Sequence, residues 1–128
     1  MFATVTSSVF GAAGLAVEEE RRTVFRDEVK PALTFNSHRI HYDRPWAVEV
    51  EGYPGLVVHG PLTTTLLVDF ARDSNPGRRI LSYATQARAP LFDTAPFELR
   101  GRPTERGCEC WAVTPEGTVA MSCEVELS

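Results

Sequence analysis

Only one stretch of this chain carries the signals of a helix of ordinary length, and beyond it the chain reads as strand to the last residue. Gly60 and Pro61 open that helix, since proline is preorganised for the first helical position, where its missing N–H is no loss. Leu62, Leu66, Leu67 and Phe70 then share a face, and the run Asp73-Ser74-Asn75-Pro76-Gly77 supplies stop signals, so the helix is expected from about Gly60 to Arg72. Thr63, Thr64 and Thr65 are poor helix formers, so burial has to override local propensity there. Beyond Gly77, Ile80–Ala89, Pro96–Arg102, Cys108–Thr114 and Thr118–Leu127 are extended-looking runs separated by turn residues. In the last run Val119, Met121, Cys123, Val125 and Leu127 alternate with Ala120, Ser122, Glu124 and Glu126, which makes one face apolar and the other largely polar. Thr114-Pro115-Glu116-Gly117 suits a type I turn and joins the last two strands into a hairpin. One apolar helix face and several half-buried strands have a simple joint solution: an antiparallel α+β sheet that covers the helix.

The chain has 128 residues, near the usual size of one domain, so a single domain over residues 1–128 is expected. The first 17 residues are apolar but carry no Lys or Arg before Arg21 and are diluted by Thr, Ser and Gly. That pattern fits neither a signal peptide nor a membrane span, and predicts a first strand, a short helix or a loosely ordered terminus. Glu18–Arg22 is a charge run read as a solvated turn, followed by a short strand at Thr23–Phe25 that stops at Lys30 and Pro31. The net charge is −4 and the 13 basic residues are scattered, which argues against a nucleic-acid partner. Cys108, Cys110 and Cys123 cannot all pair within one chain, so they are read as reduced and the protein as intracellular, in the cytoplasm.

All three histidines, His38, His41 and His59, fall between positions 38 and 59, flanked by Asn36, Tyr42, Asp43 and Arg44. Histidine titrates nearest neutrality and is the natural group to give and take protons. His59 and Gly60 stand just before the expected helix, whose free N–H groups and positive dipole end can receive a negative oxygen. A proton shuttle facing a carbonyl polariser is what the addition of water across an activated double bond requires. The alternative uses of these residues are structural. His41 could be a hydrogen-bonded loop residue, His38 is about as easily structural as functional, and His59 fits the fixing of the turn into the helix better than direct chemistry. A metal site is disfavoured because the Cys and His spacing matches no common zinc pattern. Cys108 and Cys110 would simply share one face of a strand.

The segment LTFNSHRIHYDRPWAVEVEGYPGLVVHGPL resembles the signature of MaoC-like hotdog-fold hydratases and dehydratases, in particular the branch of mesaconyl-CoA-type hydratases and hydroxyacyl-thioester dehydratases. The resemblance is strongest from Val24 to Asp73. It implies a single hotdog fold, a curved antiparallel sheet wrapped around one central helix, and reversible hydration of an enoyl thioester, an acyl-CoA or acyl-carrier ester. It places His41 on the family's catalytic histidine and Gly60 on its oxyanion-hole glycine. Asn36 stands where the wider family has a catalytic aspartate, and His38 where it has an asparagine. An amide cannot act as a general base, so the branch's Asn-Gly-His-Arg-Ile-His pattern implies that Asn36 orients water while His41, assisted by His38, moves the proton. Ser37 replaces the branch's glycine and Trp46 its tyrosine. His38, His59, Tyr42 and Tyr53 are the candidate substrate contacts, and Arg44, Arg88 and Arg100 could meet coenzyme A phosphates. No metal or redox cofactor is implied, because coenzyme A enters only as part of the substrate. Since one hotdog usually completes its thioester tunnel across an interface, a homodimer or a heteromer with another hotdog chain is expected, without membrane association. Two rivals remain at this point: a hotdog thioesterase, for which Asp69 is the one candidate carboxylate, and a non-catalytic binding or partner subunit.

Overall fold

The computed structural model describes residues 37–128 together with the backbone of two preceding strands, β1 (Phe2–Ala12) and β2 (Leu15–Phe25). A loop with a 3-10 turn at Arg39–His41 and a π-helical turn at Trp46–Val50 leads into α1 (Gly60–Ser74). Four strands come after it: β3 (Ile80–Ala87), β4 (Phe97–Pro103), β5 (Gly107–Val113) and β6 (Val119–Leu127). They join β1 and β2 in one sheet of order β1-β2-β4-β5-β6-β3, with every pairing antiparallel. The sheet closes over α1 in the expected hotdog arrangement.

Burial explains why the threonine-rich helix forms. Thr63, Leu67, Phe70 and Ala71 are its buried residues, spaced i, i+4, i+7 and i+8 along one face. Leu67, Phe70 and Ala71 form one core cluster with Leu99, Cys110, Ala112, Ala120, Cys123 and Val125 of the sheet. The buried face is therefore rotated from the expected one, with Thr63 inside and Leu62 and Leu66 only partly covered. Gly101 of β4 lets the helix come close: a Cβ there would lie 2.8 Å from Phe70 Cε1 and 3.2 Å from Cys110 Sγ. The alternation in β6 holds from Met121 on, where Met121, Cys123, Val125 and Leu127 are buried while Glu124 and Glu126 face solvent; at its start, beside a register shift against β5, Ala120 is buried and Val119 only partly covered. At the β5–β6 turn the Gly117 N–H donates to the Thr114 carbonyl at 2.9 Å, and Gly117 adopts φ of 87°, a left-handed conformation that costs glycine nothing.

The expectation for the N-terminal charge run is overturned as well. Glu18–Arg22 is no solvated turn but the middle of β2, where Glu20, Arg21 and Arg22 pair with Gly101, Arg100 and Leu99 of β4. Backbone ladders to β1 and β4 fix the conformation there, and a local run of charge does not forbid them. The N-terminal alternative that holds is the first strand, paired with β2 from Phe2↔Phe25 to Ala12↔Leu15. The predicted stop at Lys30 and Pro31 lies outside the described residues.

Candidate active site

The π-helical turn starts at a capping aspartate that the loop reading overlooked. Asp43 Oδ1 accepts the Trp46 N–H at 3.1 Å, and its other oxygen binds Arg39 Nη2 at 2.6 Å, the side-chain pattern of a helix N-cap. The hydrogen bond from Arg39, then that from Trp46, hold the Asp43 carboxyl below the usual carboxylate range. Arg39 in turn lies over the Trp46 ring, 3.9 Å from its centroid, so Trp46 packs on its own loop, with its indole N–H directed to Glu51. This short helix pulls the chain back so that residues 55–58 run beside His41.

His41 is buried, and its Nδ1 sits 2.8 Å from the Val57 carbonyl oxygen. A carbonyl can only accept, so Nδ1 carries the proton and Nε2 of the neutral ring keeps its lone pair. The other two imidazoles flank this ring edge-on. The centroid of His38 is 5.6 Å away and that of His59 is 5.0 Å away, with interplanar angles of 87° and 65°. Sixteen residues separate His41 from Val57, and no sequence spacing reveals that contact. The clustering of the three histidines in sequence does become clustering in space.

His59 is the N-cap of α1 in an extended conformation, and its carbonyl accepts the N–H groups of Leu62 at 3.0 Å and Thr63 at 3.2 Å. Pro61 has no N–H, so the Gly60 amide is the first-turn donor that the helix itself does not use. Among the described residues a Cβ built on Gly60 would meet nothing nearer than Met121 Cε at 3.9 Å. The space beside it belongs to a cleft of about 350 Å³ lined by Val58, Thr63, Leu91, Ala120 and Met121. An apolar cleft that opens at a helix N-terminus can hold an acyl chain while its carbonyl oxygen meets an amide donor.

The remaining candidates distribute unevenly. Asn36 lies outside the described residues. Tyr42 is exposed and donates its hydroxyl to the Ser37 carbonyl at 3.2 Å, whereas Tyr53 packs against Phe92 with centroids 5.9 Å apart. Arg44 is paired with Asp93, Arg100 with Glu98, and Arg88 with Gln86. Asp69, the carboxylate a thioesterase would need, is on the outer side of α1 in an ion pair with Arg72 at 2.9 Å. The three cysteines are buried free thiols, and Cys108 and Cys110 share a face with sulfurs 3.9 Å apart. The bond to Cys108 and burial push the Cys110 thiol up, while burial pushes Cys123 up to about 11. Among the described residues no three His, Cys, Asp or Glu side chains group as a metal site, and no helix is long and apolar enough to cross a membrane.

Fold and site together define a hotdog domain with a cleft at Gly60, the first residue of its helix, and a cluster of three histidines that includes the helix N-cap, His59. Residues 30–93, half of the chain, match the family described as hydroxyacyl-thioester dehydratase type 2, and the chain belongs to that family. It is similar to mesaconyl-C(4)-CoA hydratase of Chloroflexus aurantiacus, at 39% identity over 98% of this chain and 56% of that protein. It is also similar to the mitochondrial hydroxyacyl-thioester dehydratase type 2 of Schizosaccharomyces pombe, at 31% identity over 53% of this chain and 23% of that one. The chain thus spans little more than half the length of the first of these relatives and less of the second. Among solved structures, the (R)-hydratase from A. caviae involved in PHA biosynthesis superposes with a TM-score of 0.74 at 18% identity, covering 91% of this chain and 98% of that one. A chain of the ChsH1–ChsH2 complex from Mycobacterium tuberculosis gives 0.72 at 18% identity, covering 84% of this chain and 91% of its own. At such identities these two likenesses establish the fold alone.

Proposed function

We propose that this domain catalyses reversible hydration of an α,β-unsaturated acyl thioester, an enoyl-CoA, to the 3-hydroxyacyl thioester. The observation that carries this reading is the His41 Nδ1 bond to the Val57 carbonyl, which leaves Nε2 basic beside the N-terminus of α1. In the hydration direction Nε2 takes a proton from water as the water oxygen bonds to C3 of the substrate. The electron pair of the double bond moves onto the thioester carbonyl, where the Gly60 N–H stabilises the enolate oxygen. The imidazolium then returns the proton to C2, and the ring regains its starting state. Asn36 positions the water, and His38 and His59 line the approach. Tyr42 and Tyr53 contact the substrate at the edge of the loop. Catalysis needs no metal or redox cofactor, and coenzyme A is bound only as the carrier.

The names of the two relatives, a CoA hydratase and a thioester dehydratase, support this reaction class. The pairing of the partly exposed Asp69 with Arg72 argues against the thioesterase. The partner is a second hotdog chain, either another copy or a related subunit. Among the described residues β3 is a sheet edge exposed along nearly its whole length, with Leu81 60% and Tyr83 54% exposed. Unpaired edges of this kind add strands from another chain. Three buried free thiols suit the reducing cytoplasm. Incubation with a panel of trans-2-enoyl-CoA esters tests the proposal. Loss of the conjugated thioester absorbance without release of free thiol supports hydration, thiol release supports the thioesterase, and binding with neither supports a partner subunit.

A further inference from the structure

The segment that receives His41 is itself held from the far side by a residue with no obvious signal in the sequence. Asp93 lies in the loop before β4, 37 positions beyond Leu56, with a side chain only 6% exposed. Its Oδ1 accepts the Leu56 N–H at 2.9 Å, and its own backbone N–H donates to the Leu56 carbonyl at 3.0 Å. Its second oxygen pairs with Arg44, which comes directly after the Asp43 cap of the π-helical turn. Gly55 makes this approach possible: a Cβ there would stand 2.6 Å from Asp93 Oδ1 and 2.7 Å from Thr94 Cγ2. Val57, the next residue after Leu56, bridges to Phe92, donates its N–H to the Ile40 carbonyl at 2.9 Å and accepts from His41. Val58 continues the stitch with an N–H bond to the Leu91 carbonyl at 2.8 Å.

We infer that Asp93 is the positioning residue of the histidine site, acting through Leu56 and Val57 to fix the ring and tautomer of His41, with Arg44 as its charge partner. The physical reason is that a hydrogen bond selects a tautomer only if its acceptor stays put. The Val57 carbonyl belongs to an irregular segment that, among the described residues, has one bridge and no strand pairing. A carboxylate buried beside it supplies a fixed anchor, and Arg44 offsets the cost of burying that charge. The pairing also gives Arg44 a duty other than the coenzyme A contact it could have served. Asp93 does not itself touch the reacting atoms.

The kinetic half of this inference rests on the proposed hydration; the tautomer half does not. The experiment takes the full chain, ¹⁵N-labelled, as wild type, Asp93→Ala and Arg44→Ala. It records the His41 tautomer by long-range ¹H–¹⁵N correlation, and kcat and KM with a short trans-2-enoyl-CoA. Wild type is expected to show the Nδ1–H form. Asp93→Ala is expected to shift His41 toward a mixture with the Nε2–H form and to lower kcat by about 10- to 100-fold, with KM near the wild-type value, since misplacement of a catalytic group by about 1 Å can cost on the order of 100-fold. Arg44→Ala is expected to move both readouts the same way by less. Wild-type tautomer and kcat in the variants overturn the inference. So does a rise in KM alone for Arg44→Ala, which would make that residue a substrate contact. If Asp93→Ala does not fold, Arg44→Ala decides by itself, because its side chain is half exposed. If wild type hydrates no enoyl-CoA while the tautomer still shifts in the variants, the hydratase reading fails and the positioning role stands.

Discussion

Replacing Gly60 by alanine separates a glycine kept for the substrate from one kept for the fold. Among the described residues the added methyl would find only Met121 Cε, at 3.9 Å, which is ordinary contact, and the backbone there is not left-handed. Alanine is the better helix former, so stability should be unchanged or raised by at most about 1 kcal/mol. The same methyl would enter the cleft of about 350 Å³ at the point where a thioester oxygen must reach the Gly60 N–H. Blocking access to the N–H, which alanine keeps, should cost about what removing an oxyanion donor costs, about 3 kcal/mol or on the order of 100- to 1,000-fold in kcat. The assay is a urea melt beside steady-state hydration of an enoyl-CoA. The expected outcome is an intact midpoint with kcat down by about two orders of magnitude. A Gly60→Ala enzyme that hydrates at the wild-type rate would refute the oxyanion assignment, and one that melts early would show that the space beside Gly60 is structural.

The packing sets three further expectations. Gly101→Ala should do the reverse of Gly60→Ala and lower stability by about 1 to 3 kcal/mol in urea, because its Cβ would crowd Phe70 and Cys110 under the helix. The stability gap between wild type and Cys123→Ala should narrow as pH rises from about 9 toward 11. The Cys123 thiol is raised in the folded state, so its contribution is complete below the unfolded value of 9.0 and is lost as pH climbs through about 11; a gap that is flat over that range contradicts the shift. Leu81→Lys with Tyr83→Lys should turn an oligomer into monomers by light scattering without loss of helix content, while unchanged mass would move the interface away from β3.

The elements that local pattern controls were legible in the chain. The Gly60-Pro61 start, the stop after Arg72, the four C-terminal strands and the Thr114–Gly117 turn all derive from proline, glycine and alternation, and each falls within two residues of its observed boundary. Glu18–Arg22 was not, because strand membership there depends on ladders with residues that are remote in sequence. The buried face of α1 was offset because sheet contacts, not the helix alone, decide that Thr63 is inside. For the site, three histidines within one short stretch and a helix-opening His-Gly were visible, and both meet in space. The Val57 acceptor and the Asp93 anchor were not visible, since a backbone carbonyl has no residue type and one aspartate between Phe92 and Thr94 looks like any loop residue. Asp43 could have been found, as an aspartate three residues before Trp46 with a proline between them is an N-cap pattern.

The most direct test of the account is the hydration rate of His41→Ala against wild type on one enoyl-CoA, with thermal midpoints measured in parallel. A base held as this one is should contribute about 100- to 10,000-fold, so kcat should fall by that much while the protein stays folded. A folded His41→Ala protein that still adds water at the wild-type rate would mean that the chemistry lies elsewhere.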